Sequence, residues 1–225
     1  MKPDSRSLAR VASALDGVVH PPDGAPHGVV VLTHGAGGNR DGALLVALCD
    51  EWAARGWLAI RYNLPYRRRR PKGPPSGSAT ADAAGVAEAI AAARTLTDGP
   101  VIAGGHSYGG RMTSLVAADG ADLDVLALTS YPLHPPGKPE RLRTEHLPDI
   151  TVPTVCTQGS SDPFGSLEEL TAAAALINAP TQIVEIPGAR HDLVPKRPRS
   201  GPRDTELPNV PVLAVDAALA LLAGG

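Results

Sequence analysis

The sequence predicts an α/β fold, a mostly parallel central sheet with helices on both faces in a three-layer sandwich. Two observations lead there. Short apolar runs alternate with segments of helical period along the whole chain, an arrangement that needs a sheet covered on both sides. One junction, Gly104-Gly105-His106-Ser107-Tyr108-Gly109-Gly110, also reads as a strand, a tight turn and a helix in immediate succession. The 225 residues are enough to bury a full core, and residues 1–225 are expected to form a single domain.

The elements follow in order. Val18-Val19 reads as an early edge strand, and Gly28 to His34, nearly all apolar, as a buried central one. Asp41 to Arg55 is predicted helical, with Leu44, Leu45, Leu48 and Trp52 on one face. Trp57 to Tyr62 is the next strand. Ala79 to Leu96 is a helix that buries Val86, Ile90 and Ala93. Pro100 to Ala103 leads into the serine turn, and Met112 to Ala118 carries the helix beyond it. Strands are expected at Asp124 to Tyr131, Val152 to Gln158 and Thr181 to Pro187. Ser166 with Glu169 forms a capping box that opens a helix running to about Asn178. Asn209 to Leu222 is the last helix. Two Pro-, Gly- and Arg-rich stretches, Asn63 to Ser78 and Leu193 to Leu207, are expected to be irregular rims of the sheet edge where ligands bind.

The serine turn carries the chemistry. It fits G-x-S-x-G between a strand and a helix, where glycines two before and two after the serine avoid collision with the neighbouring backbone. Such a turn lifts the Ser107 oxygen clear of the sheet and aims the first amides of a helix at any negative charge formed there. A serine hydroxyl is a weak nucleophile until a base takes its proton, and the base is usually a histidine oriented by a carboxylate. His191, in the turn after the last strand, ends on the same edge. Asp162, directly after another strand, is the expected orienting acid, because Asp192 is a sequence neighbour of His191 and adjacent side chains rarely align. The amide of Tyr108 is one expected oxyanion donor. The second is expected from Thr33-His34-Gly35-Ala36-Gly37-Gly38, at Ala36 or else Gly37. Each donor is worth about 3 kcal/mol in comparable sites. His34, Tyr66, Tyr131 and His134 sit where they could line a substrate site. His34 is expected to hydrogen-bond within its loop rather than act in catalysis. His134, held among prolines, is expected to be structural or substrate-lining rather than a base competing with His191.

Together with the serine turn, several further strings carry a family resemblance. They are His34-Gly35-Ala36-Gly37-Gly38, Tyr62-Asn63-Leu64-Pro65-Tyr66 with Arg69-Arg70-Pro71, Gly105 to Arg111, Ser130 to Lys138, Gln158 to Gly165, and Gly188-Ala189-Arg190-His191. The chain resembles an α/β-hydrolase without a lid. It is most similar to the branch that includes a testis-expressed protein and a subunit of a nonspecific-lethal histone acetyltransferase complex, near the dienelactone hydrolases. The resemblance implies Ser107, Asp162 and His191 as the catalytic triad, in the Ser, Asp, His order of that fold. It implies no particular substrate, and some relatives act as subunits of complexes.

The expected function is therefore a cofactor-independent serine esterase acting on a small-molecule acyl substrate through an acyl-enzyme. A thioesterase or peptidase would use the same groups, and a noncatalytic interaction module would keep only the fold. The short stretch between Tyr131 and Val152 leaves no room for a cap domain and implies an open site. A net charge of −2 favours neither nucleic acid nor membrane as a partner. Arg67 to Arg70 with Lys72, and Lys196, Arg197, Arg199 and Arg203, are expected to be solvated rim charges or a basic entrance suited to an anionic acyl group. No metal-ligand spacing is present in the sequence. An acidic N-terminus without an apolar segment, and Cys49 and Cys156 in apolar periodic segments, suggest a cytoplasmic, disulfide-free chain. The oligomeric state stays open.

Overall fold

The computed structural model describes residues 3–75, 78–195 and 207–224. Among them one sheet contains β1 (Gly17–His20), β2 (Val29–Thr33), β3 (Leu58–Tyr62), β4 (Val101–His106), β5 (Val125–Thr129), β6 (Thr154–Gly159) and β7 (Thr181–Ile186), in spatial order β1-β3-β2-β4-β5-β6-β7. Only β1 runs antiparallel, pairing Val18 with Arg61 and Val19 with Ile60 on β3. All other neighbours are parallel, so β2 to β7 point their C-terminal ends to one edge.

The apolar runs are explained by burial on both faces. Val29 and Val31 of β2, Leu58 and Ile60 of β3 and Leu126 and Leu128 of β5 pack on one side with Val86, Ile90 and Met112. Those partners come from α4 (Ala79–Arg94) and α5 (Tyr108–Ala118). Val30, Leu32, Ala59, Ile102, Val125 and Val155 pack on the other with Leu48, Trp52 and Val215. There the helices are α2 (Ala43–Ala54) and α7 (Val210–Gly224). A strand buried twice cannot alternate apolar with polar, which is why the runs are continuous.

Two helices lie where none was expected. α1 (Ser5–Leu15) is opened by Asp4, whose carboxylate accepts from the amides of Arg6 and Ser7 at 2.9 Å each. It buries Val11 and Leu15. α3 (Pro65–Arg69) begins with proline at its first position, inside the stretch expected to be irregular. The Ser166–Glu169 capping box is present, but α6 (Leu167–Ala174) stops before Asn178, whose amide donates instead to the Ile150 carbonyl at 3.1 Å. Between β5 and β6 the only helical piece is a single 3-10 turn, Leu147–Asp149. Cys49 and Cys156 are buried free thiols, and burial pushes both up to about 12. Among the described residues, no helix is long and apolar enough to cross a membrane.

Close strand packing makes one position in β4 intolerant of any side chain. A Cβ on Gly104 would lie 1.9 Å from the carbonyl oxygen of Ala127 on β5. Gly104→Ala is expected to lower the unfolding free energy by about 3 kcal/mol in urea titrations. Gly224→Ala, with open space around the new methyl, should stay within about 0.5 kcal/mol of the parent.

Candidate active site

β4 ends at His106 and α5 begins at Tyr108, so Ser107 alone makes the turn, with φ 52° and ψ −117°. A non-glycine residue at positive φ costs on the order of 1–3 kcal/mol, and the surrounding backbone must enforce it. The Ser107 amide donates to the Thr129 carbonyl at 2.8 Å, and the Arg111 amide donates to the Ser107 carbonyl at 2.9 Å. A Cβ at position 105 would stand 2.6 Å from the Thr33 oxygen, and one at 109 would stand 2.6 Å from the His34 oxygen. Both glycines of the sequence pattern are thus required by close backbone approach.

The loops after β6 and β7 reach the same edge and brace each other. The Ser160 amide donates to Ile186, and the Ser161 amide donates to Ala189 at 2.9 Å. The Gly188 amide donates to the Ser160 hydroxyl at 2.9 Å. This places the His191 imidazole between Ser107 and Asp162. Nε2 lies 2.7 Å from Ser107 Oγ, and Nδ1 lies 2.8 Å and 3.1 Å from the two Asp162 oxygens. The carboxylate accepts at Nδ1, so Nδ1 carries the proton and Nε2 is left to accept from the serine hydroxyl. The Asp162 side chain is fully buried, and it also accepts from the Phe164 amide at 2.9 Å. The Phe164 ring stacks on the imidazole with centroids 4.1 Å apart. Asp192 turns away and accepts from the Val194 amide.

The β2 loop forms the opposite wall. Tyr66 on α3 donates its hydroxyl to the Ala36 carbonyl at 2.8 Å and to that of Gly35 at 3.2 Å. Arg67 donates to Gly38 at 2.7 Å and to Ala36 at 3.3 Å. In a planar peptide the C=O and N–H point in opposite directions. Holding these carbonyls back toward α3 therefore turns the amides of Ala36 and Gly37 the other way, and both residues line the cavity beside Ser107 and Tyr108. Asp82 of α4, buried and absent from the sequence-based candidates, accepts from the Tyr66 amide at 3.0 Å and the Tyr108 hydroxyl at 2.9 Å. A lone aspartate in a helical segment carries no sequence signal for that role.

The cavity measures about 600 Å³ and opens at the C-terminal edge of the sheet. Its walls differ from the expected ones. Tyr66 faces the carbonyls behind the β2 loop. Tyr131 is buried, donating to the Arg143 carbonyl at 2.7 Å. His134 is buried beside Glu169, with its Nδ1 2.9 Å from the Pro135 carbonyl. His34 is buried between the Gly35 carbonyl at 2.9 Å and the Leu64 amide at 3.2 Å. The cavity is lined instead by Phe164, Pro132, Arg111, Arg143 and His106. The Arg67–Arg70 run is divided: Arg67 is buried and consumed by four carbonyls, and Arg68 donates to those of Asn63 and Ala14. Only Arg69 and Arg70 are exposed, so the run is not a uniformly solvated rim. Lys196, Arg197, Arg199 and Arg203 lie outside the described residues.

A seven-stranded sheet with a serine on a strand-to-helix turn, a histidine after the last strand and, among the described residues, no cap domain defines an α/β-hydrolase architecture. Residues 26–215 match the alpha/beta hydrolase domain family, and the chain belongs to it. The fold is shared with an alpha-beta serine hydrolase homologue from Coxiella burnetii, at 15% identity over 92% of this chain and 90% of that one, TM-score 0.65. It is shared with Est1E from Butyrivibrio proteoclasticus, solved with ferulic acid bound, at 16% identity over 92% and 94%, TM-score 0.65. The dienelactone hydrolase from Anabaena variabilis is similar at 19% identity over 91% and 88%, TM-score 0.62.

Burial lowers the His34 pKa from its ordinary 6.5 to about 4. The unfolded chain binds this proton below about 6.5, whereas the folded chain binds it only near 4, so stability falls as the pH drops through that window. Calorimetric Tm values should decline across it. His34→Gln, which keeps an acceptor for the Leu64 amide but does not titrate, should make that decline shallower, leaving the share of His106, which burial also lowers to about 4.

Proposed function

We propose that the protein is a serine hydrolase acting on carboxylic esters through an acyl-enzyme, with Ser107, His191 and Asp162 as its triad. Within the family, the Ser130 to Lys138 string supports the branch resemblance drawn from the sequence. The observation that carries the reading is the unbroken hydrogen-bonded series from the Ser107 hydroxyl through the His191 ring to the buried Asp162 carboxylate.

Ser107 Oγ attacks the acyl carbon as its proton passes to His191 Nε2. The imidazolium that forms is stabilised and kept in orientation by Asp162. Negative charge on the carbonyl oxygen is taken up by the amides of Tyr108, at the open start of α5, and of Ala36, with Gly37 next to it. The C–O bond of the ester breaks, and His191 returns its proton to the leaving oxygen. A water molecule entering the open cleft then gives a proton to His191 and attacks the acyl-enzyme carbonyl. Collapse of that second intermediate frees the acid and restores the Ser107 hydroxyl. The neutral imidazole is required at both stages, and the Phe164 ring stacked on it limits its rotation.

The test is steady-state hydrolysis of 4-nitrophenyl butyrate. Ser107→Ala and His191→Gln are expected to lower kcat by about 10⁴-fold or more, and Asp162→Asn by about 10⁴-fold, with the circular dichroism spectrum unchanged. Parent-level turnover by folded Ser107→Ala would refute the assignment. No turnover by any form would favour a module that keeps the fold without the reaction.

A further inference from the structure

We propose that Arg111 and Arg143 form an anion subsite beside Ser107, and that the ester hydrolysed there carries a carboxylate in addition to its reacting carbonyl. The proposal rests on the hydrolase reading above and names its substrate class.

The two guanidinium groups reach the cavity from independent elements. Arg111 lies in the first turn of α5, and its amide is bonded to the carbonyl of Ser107, so its position is tied to that of the serine. Arg143 comes from the loop between β5 and β6 and is held there by three bonds. Its amide donates to Leu133 at 2.9 Å, its carbonyl accepts from the Tyr131 hydroxyl at 2.7 Å, and one guanidinium nitrogen donates to Pro132 at 2.8 Å. Both side chains line the same cavity as Ser107 and His191.

Their surroundings lack the partners that such groups need. Among the described residues, neither arginine makes an ion pair, whereas Arg40, Arg55, Arg61 and Arg94 each pair with a carboxylate. The Nε of Arg111 is buried with no hydrogen-bond partner. Arg143 has its pKa lowered by burial and then by the Arg111 cation, and His146 is lowered by burial and the same cation. Arg67 offers the contrast, since a buried guanidinium with a structural task fills its donors with carbonyls. Two half-buried cations that repel each other, one of them with a buried donor unfilled, are costly unless an anion completes the site.

The geometry selects the chemistry of that anion. Guanidinium groups present planar pairs of N–H donors that match the two oxygens of a carboxylate. Phe164 and Pro132 give the same cavity an apolar wall for the carbon chain joining that carboxylate to the ester. The open start of α5 adds positive potential at the same end of the cleft. A volume of about 600 Å³ fits a small molecule of this kind.

The experiment compares kcat/KM for charged and neutral esters in matched pairs. One pair, 4-nitrophenyl hydrogen glutarate against 4-nitrophenyl valerate, places the carboxylate on the acyl side. The other, 4-acetoxybenzoate against 4-acetoxybenzamide, places it on the leaving group. The parent protein is expected to prefer the charged member of at least one pair by roughly tenfold or more, the worth of a charge-assisted hydrogen bond. Arg111→Gln and Arg143→Gln should each bring that ratio toward one. Turnover of the neutral esters with ratios near one in both pairs, or a preference that survives both substitutions, would overturn the subsite while leaving the hydrolase reading intact. If no ester is turned over, the hydrolase reading fails separately, and calorimetry with glutarate decides the subsite. Binding that is lost in Arg111→Gln upholds it, and absence of binding ends it.

Discussion

Ser107 occupies a backbone conformation that an ordinary residue avoids, and the rest of the site is arranged around it. At φ 52° its chain direction reverses within one residue, so that a central strand passes directly into α5. The reversal holds only because the backbone of Thr33 and His34 can press against Gly105 and Gly109, and because Thr129 accepts the Ser107 amide. Strain of this size, about 1–3 kcal/mol, is sustained by a sheet buried on both faces. The return is positional. The hydroxyl stands at the edge where the loops of four parallel strands meet, beside the unfilled amides of a helix start.

Each converging loop is fixed by contacts remote from the cavity. The β6 and β7 loops approach so closely that a Cβ on Gly159 would lie 2.4 Å from the Ala189 carbonyl. The β2 loop is held from behind by Tyr66 and Arg67, and Asp82 ties Tyr66 to Tyr108 across that wall. On the proposed reading, donors fixed in this way meet the condition for strong electrostatic stabilisation of an oxyanion. The same stiffness holds Arg143 over the cleft, since three of its polar groups are engaged by neighbouring loop residues.

The strands and most helices were legible because burial on two faces leaves a continuous apolar run, and cap and turn residues punctuate it. The convergence of Ser107, Asp162 and His191 could be anticipated for a related reason: residues directly after parallel strands share an edge whatever the details of packing. Side-chain direction was less accessible. Arg67 and Arg69 are two apart in one basic run, yet one is buried among carbonyls and the other is exposed. Only the tertiary position of the β2 loop separates them. Tyr66 on α3, and Tyr131 and His134 in the loop after β5, lie near the cavity but face away from it, because buried carbonyls compete for their polar groups. α1 went unrecognised because its apolar stripe is short, and α3 because a proline opens a single five-residue turn within a Pro- and Arg-rich stretch.

The central claim is that the backbone at Ser107 presents one activated hydroxyl to the cleft. Exposing the folded protein to a fluorophosphonate and weighing it intact, followed by peptide mapping, addresses that claim most directly. A single adduct on the peptide containing Ser107, lost on prior unfolding, is the outcome expected. A folded protein that takes up no label, or takes it up at a different residue, would contradict the account.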